Sequence, residues 1–403
     1  MQGESDEDQF QRGLALQNQG RFAEAAAVYE PLAARVLTLK LAINLGISLG
    51  ELGEREGAIR YLSLAAGHSP ANAVLRRMLG FAFSEAGRIA EAERELREAL
   101  ALAPGDKPTE LALGGLLLSV GRYAEGWPLL RARGEVNPGV VPKMTALAFP
   151  EWTGEPLAGK SILVWVEQGF GDKIQMARFV ALLRAQGAQV TLGCNPPLTH
   201  LFSTLAGVDR LVPISVGESI TVDRHDFWTR YFSLPDYLAI TLETLPAAPY
   251  LAAPDDRRAK WAGFAPQVGR PARIGLVSQA SPTGFNAGNK GLRPEDARRL
   301  TDLGAISLHP EDTGAADFAD TAAILETLDL VISIDTSVAH LAGAMGKPCW
   351  TLLPFNKCDW RWLRDRSDSP WYPTMRLYRA GKPFDWTPTI DAVIADLVAE
   401  DLR

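Results

Sequence analysis

A repeat with a step of 34 residues runs through the first third of the chain and limits what this region can fold into. Three sets of residues share the step: Gly46, Gly80 and Gly114; Gly53, Gly87 and Gly121; Pro70, Pro104 and Pro138. Gly13 and Gly20 extend the pattern upstream with a step one residue shorter. Small residues at one fixed place let two helices approach closely, and glycine at the other suits the turn between them. The pattern predicts about four helix–turn–helix units over residues 1–138.

A helix–turn–helix unit of this length resembles the tetratricopeptide repeat. Such units bury their apolar faces only by stacking on one another, so the resemblance implies an α-solenoid with a concave groove. We expect the groove to dock a protein or a peptide. An arm that only stabilises its neighbour, or joins copies of the chain, would show the same sequence pattern.

The charge and the cysteines of the chain exclude several classes of protein. It carries 48 acidic and 41 basic residues, which argues against a general nucleic-acid binder. Cys194, Cys349 and Cys358 lack the spacing of a metal or redox site, and no run of 18 apolar residues is present. The first nine residues are acidic and lack the apolar core of a signal peptide. These features predict a cytoplasmic protein with no membrane span and no nucleic-acid partner.

Apolar runs alternate with helical patterns after the repeats end. Residues 139–160 contain Trp152 among several prolines and are typical of an ordered connector. The run at 161–166 is continuously apolar, as a central parallel strand requires. Two such α/β cycles predict two Rossmann-like domains, residues 161–265 and 266–403, with a cleft between them and a helix at the end of the second.

Polar residues follow one of the predicted strands directly. The strand is expected at 330–334, and Asp335, Thr336 and Ser337 come before the helix that follows it. At such a strand end the free N–H groups and the positive end of the helix dipole bind phosphate. An ordinary strand–helix turn with Thr336 or Ser337 as its N-cap would have the same sequence. His340, one turn into the helix, could equally be a packing histidine.

A glycine loop follows the first strand of the α/β region. Gln168, Gly169 and Gly171 lie beside Asp172, where a helix is expected to begin. The two glycines allow the backbone to approach a ligand, although the loop is not a complete dinucleotide-binding fingerprint. Asp172 is placed either to cap the helix or to take a proton from a hydroxyl group as a general base.

Three stretches together are similar to bacterial tetratricopeptide-repeat glycosyltransferases, whose catalytic half resembles the lipopolysaccharide heptosyltransferases. The stretches are residues 162–178, residues 335–342, and residues 353–355 with 359–363, and the similarity continues through 369–373. The resemblance implies a GT-B fold, in which two Rossmann-like domains face each other and the second one holds the nucleotide sugar. It also implies an inverting transfer that needs no metal and no other cofactor.

The resemblance also implies roles for individual residues. Asp172 matches the catalytic base of the family. The donor contacts that it implies are Asp335, Thr336, Ser337 and, as a further contact, His340. Lys290 lies where the family carries a basic residue that reaches the phosphates, although a surface lysine in a glycine-rich loop would have the same sequence. Residues 278–291 depart from the family pattern, and donor binding by this segment is left open.

The leading hypothesis is a glycosyltransferase that moves a sugar from a nucleotide sugar to a hydroxyl group. The repeats would dock the acceptor, a Ser or Thr of a protein, for example a surface protein such as flagellin. One alternative is transfer to a glycan or to lipopolysaccharide. The other is a non-catalytic scaffold that combines tetratricopeptide repeats with a degenerate transferase half.

Overall fold

The computed structural model describes residues 4–136, 147–167, 169–215, 222–264, 272–281 and 286–402. The predicted site residue Gln168 and the repeat residue Pro138 lie outside these ranges. Residues 4–136 are helical: α1 (Asp6–Asn18), α2 (Phe22–Arg35), α3 (Leu39–Glu51), α4 (Arg55–His68), α5 (Ala73–Glu85), α6 (Ile89–Leu102), α7 (Lys107–Ser119), α8 (Tyr123–Leu130) and α9 (Arg133–Val136).

The predicted repeat appears as successive pairs of packed helices, α1 with α2, α3 with α4, α5 with α6, and α7 with α8. Glycines occupy the places where the helices of a pair are closest. A Cβ atom on Gly46 would lie 2.8 Å from Leu62 Cγ, and one on Gly80 would lie 2.8 Å from Leu96 Cγ. In the turns, Gly53 has a φ of +76°, which side chains other than glycine rarely adopt. The glycines therefore recur every 34 residues because each repeat makes the same close contact between its two helices.

A first parallel sheet follows the helical region. Its strands are β1 (Ser161–Trp165), β2 (Gln189–Cys194), β3 (Arg210–Pro213) and β4 (Phe227–Arg230), in the order β3-β2-β1-β4. Around it lie α10 (Phe170–Met176), α11 (Val180–Ala185), α12 (Pro196–Phe202), α13 (Leu234–Tyr237) and α14 (Asp255–Trp261), with 3₁₀ turns at Ala177–Phe179 and Tyr231–Ser233.

A second parallel sheet forms the rest of the chain. Its strands are β5 (Ile274–Val277), β6 (Ile306–Ser307), β7 (Leu330–Ile334), β8 (Cys349–Leu353) and β9 (Met375–Arg379), in the order β6-β5-β7-β8-β9. Its helices are α15 (Ala287–Lys290), α16 (Pro294–Asp302), α17 (Pro310–Thr313), α18 (Phe318–Glu326), α19 (Ser337–Ala344) and α20 (Thr387–Ala399), with a 3₁₀ turn at Trp360–Trp362. No helix within the described residues is long and apolar enough to cross a bilayer.

The sequence patterns missed two strands and misplaced one helix start. β4 has a single fully buried residue, Thr229, so it shows no apolar run. β9 pairs with β8 at the edge of its sheet, and two of its five residues are arginines that are only half-buried, so it shows no continuous apolar run. The helix expected to begin at Asp172 begins earlier, at Phe170, because Phe170 and Gly171 of the glycine loop belong to the first helical turn.

The repeats and the α/β region share one hydrophobic core. Tyr123 and Trp127 of α8 are buried and contact Trp371, which follows the second sheet's 3₁₀ turn. Trp371 Nε1 donates a hydrogen bond to Tyr123 Oη at 2.7 Å, and Trp127 Nε1 donates to the carbonyl oxygen of Ile240 at 2.9 Å. The last repeat is therefore packed into the α/β region rather than tethered to it.

Asp320 of α18 has a buried carboxylate whose hydrogen bonds join α14 to α18 of the second sheet. It accepts hydrogen bonds from Lys260 Nζ at 2.8 Å, Trp261 Nε1 at 2.7 Å and the Ala316 N–H at 3.0 Å. Burial by itself raises the pKa of Asp320, but these contacts outweigh it and hold the pKa at about 2. The ionised form is therefore the one that stabilises the fold.

Asp320→Asn is expected to lower the free energy of unfolding at pH 7 by about 2 to 3 kcal/mol, because the folded pKa lies below the unfolded one. The stabilisation is present above the unfolded pKa and is lost as the pH falls toward 2, so the difference from the native protein should shrink in acid. Urea titrations at pH 7 and pH 3 measure this. Asp391→Asn, at an exposed pair with Arg299, is the control and should change little. An equal Asp320 effect at both pH values would contradict the assignment.

Candidate functional site

The predicted site lies where the strand order of each sheet reverses. The reversal falls between β1 and β4 in the first sheet and between β5 and β7 in the second. Doubly wound sheets bind ligands beyond the carboxyl ends of their strands at such a reversal. Asp172 follows β1, and Asp335 follows β7. The two predicted clusters thus lie at the carboxyl ends of strands in the two sheets, next to the places where the strand order reverses.

The helices that follow these two strands, α10 and α19, touch at their first turns. A Cβ atom on Gly171 would lie 2.7 Å from His340 Cδ2 and 3.3 Å from Ser337 Cα, so a larger side chain does not fit. The sequence predicted that the loop glycines let the backbone approach a ligand; the structure places Gly171 against His340. This close contact brings Asp172 beside residues of α19.

Arg361, in the 3₁₀ turn after β8, lies at the centre of the site. Its Nη2 is 2.7 Å from Asp172 Oδ1, its Nε is 2.9 Å from Asp359 Oδ1, and its Nη1 is 3.3 Å from His340 Nε2. Only 8% of its side chain is exposed. Arg361 lies within the stretch 359–363 that carries the family resemblance, but no role was predicted for it from the sequence. The available signal was a pair of opposite charges, Asp359 and Arg361, within an aromatic segment.

His340 is a neutral hydrogen-bonding link in this site. Its Nε2 faces the Arg361 guanidinium, which can only donate, so its Nδ1–H donates to Tyr372 Oη at 3.0 Å. Its ring stacks on Trp362, with the ring centroids 5.2 Å apart and the planes at 18°. Burial, together with the Arg361 charge, holds the pKa of His340 well below its usual value. His340 therefore orients Arg361 and carries no charge at neutral pH.

Asp172 has both carboxylate oxygens engaged. Oδ1 pairs with Arg361, and Oδ2 accepts the Gly169 N–H at 2.9 Å at the start of α10. Burial by itself raises the pKa of Asp172, but Arg361 and the Gly169 N–H outweigh it and hold the pKa below its usual value. Asp172 thus closes the first turn of the helix, one of the two roles the sequence left open, and is ionised.

The pKa of Asp359 is shifted in the opposite direction from that of Asp172. Its Oδ1 accepts the Arg361 N–H at 3.1 Å as the cap of the 3₁₀ turn. Burial raises the pKa of Asp359; Arg361 opposes this, and the nearby carboxylates of Asp335 and Asp172 add to it, so the pKa lies above its usual value. Two carboxylates with opposite pKa shifts thus share one guanidinium.

The predicted donor-binding residues form a second group next to Arg361. Lys290 Nζ lies 2.8 Å from Asp335 Oδ2, and 11% and 5% of these side chains are exposed. Lys290 is thus a buried ion-pair partner rather than a surface lysine. Thr336 occupies the N-cap position of α19, but its side chain makes no capping hydrogen bond and instead lies 3.2 Å from Ser333 Oγ. The first N–H groups of α19, beginning at Ser337, are left without a side-chain cap.

Two of the cavities lined by described residues lie where the repeats meet the α/β region. One, of about 300 Å³, is on the mostly apolar face of α3, α5 and α7 and is closed at one end by Asn356 and Lys357 of the second sheet. Lys357 Nζ pairs with Glu51 at 2.8 Å, and its N–H donates to Glu85 Oε2 at 2.8 Å. The predicted groove is therefore partly covered by the chain itself.

The other cavity, of about 280 Å³, lies between the repeats and the second sheet and has a more polar lining. Arg55 and Ser119 line it from the repeats, and Asp359, Arg364 and Arg379 line it from the α/β region. Arg364 crosses the junction, donating to Ser119 Oγ at 3.1 Å. This cavity reaches the Arg361 cluster through Asp359.

Comparisons with known proteins support the prediction of repeats in the helical region. The sequence model described as "Tetratricopeptide repeat" matches residues 51–108. Protein FlbA of Caulobacter vibrioides is 26% identical over 287 residues, which cover 61% of this chain and 48% of FlbA. The chain thus spans about half the length of this curated relative. The prediction of tetratricopeptide repeats is confirmed.

Solved structures of MamA match about a third of this chain. The structure titled MamA 41-end from Desulfovibrio magneticus RS-1 is 20% identical, covers 33% of this chain and 74% of its own, and has a TM-score of 0.30. The structure titled MamA MSR-1 C2 is 24% identical, covers 34% of this chain and 78% of its own, and has a TM-score of 0.31.

Proposed function

We propose that this chain is a GT-B glycosyltransferase that moves a sugar from a nucleotide sugar to a hydroxyl group. The observation that carries the proposal is the meeting of two strand-end sites, Asp172 after β1 and Asp335 after β7. Asp172 pairs with Arg361 and Asp335 pairs with Lys290, and burial together with both cations lowers the pKa of His340. Facing sheets with a shared polar cluster suit a reaction between a phosphorylated donor and a second substrate. The resemblance of the same stretches to repeat-containing glycosyltransferases supports this choice.

The donor phosphates belong at the beginning of α19 in this proposal. The uncapped N–H groups from Ser337 onward and the helix dipole attract an anion. Lys290 and Arg361 supply two positive charges beside this helix end, each now held by carboxylates. Preorganised donors and cations of this kind stabilise the charge that develops on a departing phosphate. Residues of this chain can therefore supply the stabilisation that the leaving group requires.

The acceptor hydroxyl requires a carboxylate that takes its proton while it attacks the anomeric carbon. The cluster offers Asp172, which the family resemblance matches to the base, and Asp359. The acceptor in this proposal is a Ser or Thr of a protein brought to the site by the repeats. Extended grooves of repeat proteins bind such partners, and the cavities described above connect the repeats with the cluster.

A donor screen tests this proposal. We expect at least one of UDP-, ADP-, GDP- or CMP-sugars to raise the melting temperature of the full chain. Ser337→Glu should weaken that donor's binding about 100-fold, because it places a negative charge at the phosphate position; a glutamate in a first helical turn does not itself destabilise the helix. Calorimetric titration gives the dissociation constants.

The control for the donor screen is Ser203→Glu in the exposed turn after α12, which should leave donor binding unchanged. Binding that survives Ser337→Glu would place the donor elsewhere. Failure of every nucleotide sugar to bind would refute the transferase and favour the non-catalytic scaffold.

A further inference from the structure

Asp359 uses its two oxygens differently from Asp172. Asp172 has one oxygen on Arg361 and the other on the Gly169 N–H. Asp359 places only Oδ1 on Arg361, and among the described residues no hydrogen bond reaches its Oδ2. Its side chain is 19% exposed and lines the 280 Å³ cavity. Asp359 thus has an oxygen available to a molecule in that cavity.

Two carboxylates of the cluster share one cation. Asp172 and Asp359 both pair with Arg361, whereas Asp335 pairs with Lys290. His340 adds no charge, because its pKa is held well below its usual value. The ionised carboxylate with the weakest hold on a cation most readily accepts a proton from a substrate.

The contacts identify which carboxylate takes that proton. Asp172 has two donors that favour its ionised form, and Asp335 has Lys290 at 2.8 Å. Asp359 must share Arg361 with Asp172, and its pKa is correspondingly raised by burial and by the neighbouring carboxylates. The other charged or titratable groups around the cavity are Arg55, Glu85, Cys358, Arg364, Asp365 and Arg379.

The cavity also connects Asp359 with the repeats. Arg55 and Glu85 line both this cavity and the apolar one on α3, α5 and α7. The Arg55 guanidinium lies 3.6 Å from the centre of the Phe355 ring and donates to the Phe355 carbonyl oxygen at 3.0 Å. A substrate held on the repeats therefore has Arg55 and Glu85 between it and Asp359.

We propose that the acceptor hydroxyl reaches the site through this cavity and gives its proton to Asp359, while Asp172 holds Arg361 in position. The inference rests on the proposed transferase function and identifies the acceptor's side of the same site. The hydroxyl oxygen forms a bond to the anomeric carbon, and its proton passes to Asp359 Oδ2. The bond between that carbon and the phosphate oxygen breaks, and the donor's nucleotide leaves with the electron pair.

Release of the donor's nucleotide, with water as the acceptor, tests the inference without a known protein substrate. The donor that binds in the screen is incubated with the full chain between pH 5 and pH 9. Asp359→Asn should slow release at least 100-fold, remove the loss of rate toward acid pH, and leave the donor dissociation constant within about threefold. Asp359→Glu should restore part of the rate together with its pH dependence.

Asp172→Asn is the contrasting variant. It should lower the melting temperature, and its rate of nucleotide release should still fall toward acid pH. Release by Asp359→Asn at the native rate and with the native pH profile would overturn the inference and leave the transferase proposal standing. Donor binding with no release by the native chain would also overturn it. Absence of donor binding would overturn both proposals.

Discussion

Arg361→Met is expected to lower the free energy of unfolding by about 3 to 5 kcal/mol at pH 7, and to abolish sugar transfer. The guanidinium is nearly buried, and it separates the carboxylates of Asp172 and Asp359 while donating to His340. Without it, two carboxyl groups face each other with no cation between them. Removing one partner of a buried ion pair leaves the other charge without compensation, and this makes the effect large.

Chemical denaturation of Arg361→Met at pH 7 and pH 4 measures this effect. The destabilisation should be smaller at pH 4, because burial raises the pKa of both carboxyl groups once the cation is removed, and they take up protons as the pH falls. Arg364→Met is the matched control: it removes a nearby arginine that donates to Ser84 and Ser119 and has no part in the carboxylate cluster. Equal effects of the two substitutions would show that Arg361 acts only through packing.

Glu167→Ala is expected to lower the free energy of unfolding by a similar amount, about 3 to 5 kcal/mol, for a different reason. Glu167 follows β1 with a fully buried side chain, and it accepts from Arg133 Nη2 at 2.9 Å and from the Phe232 N–H at 2.7 Å. Arg133 belongs to α9, so this ion pair joins the last helix after the repeats to the first sheet. Removing Glu167 leaves a buried guanidinium without its carboxylate.

Thermal and urea unfolding of Glu167→Ala should show one transition moved to lower stability. The double substitution Arg133→Met with Glu167→Leu should recover most of the loss, because it removes both buried charges. Glu135→Ala, on the exposed face of the same helix as Arg133, is the control and should change stability by less than about 1 kcal/mol. Failure of the double variant to recover would mean that the loss arises from packing around β1.

Features that depend on near neighbours in the chain could be predicted from the sequence. The repeat glycines follow from the distance between two consecutive helices, and the strand predicted at 330–334 is β7. Asp335 was expected directly after a strand and Asp172 at the start of a helix; Asp335 follows β7, and Asp172 lies in the first turn of α10. In each case the sequence records a local requirement: a turn, a helix contact, or a buried strand followed by a helix.

Features that depend on the path of long loops could not be predicted. Arg361 meets Asp172 across 189 positions of sequence, and nothing in the spacing of the two residues indicates that they pair. The covering of the repeat groove by Asn356 and Lys357 likewise depends on where the loop after β8 runs. The sequence predicted the groove itself, whereas its partial closure came only from the three-dimensional arrangement.

The burial of Tyr123 and Trp127 determines which parts of this chain can be exchanged between proteins. Both side chains belong to the same core as the two sheets, so a deletion of all the repeats would expose that core instead of isolating a catalytic half. Helices α1 and α2, by contrast, pack in a cluster formed only with the next repeat. Chimaeras that replace α1 and α2 and keep α7 and α8 would alter partner choice without rebuilding the site, which makes the first repeat the natural place for recombination and for engineering.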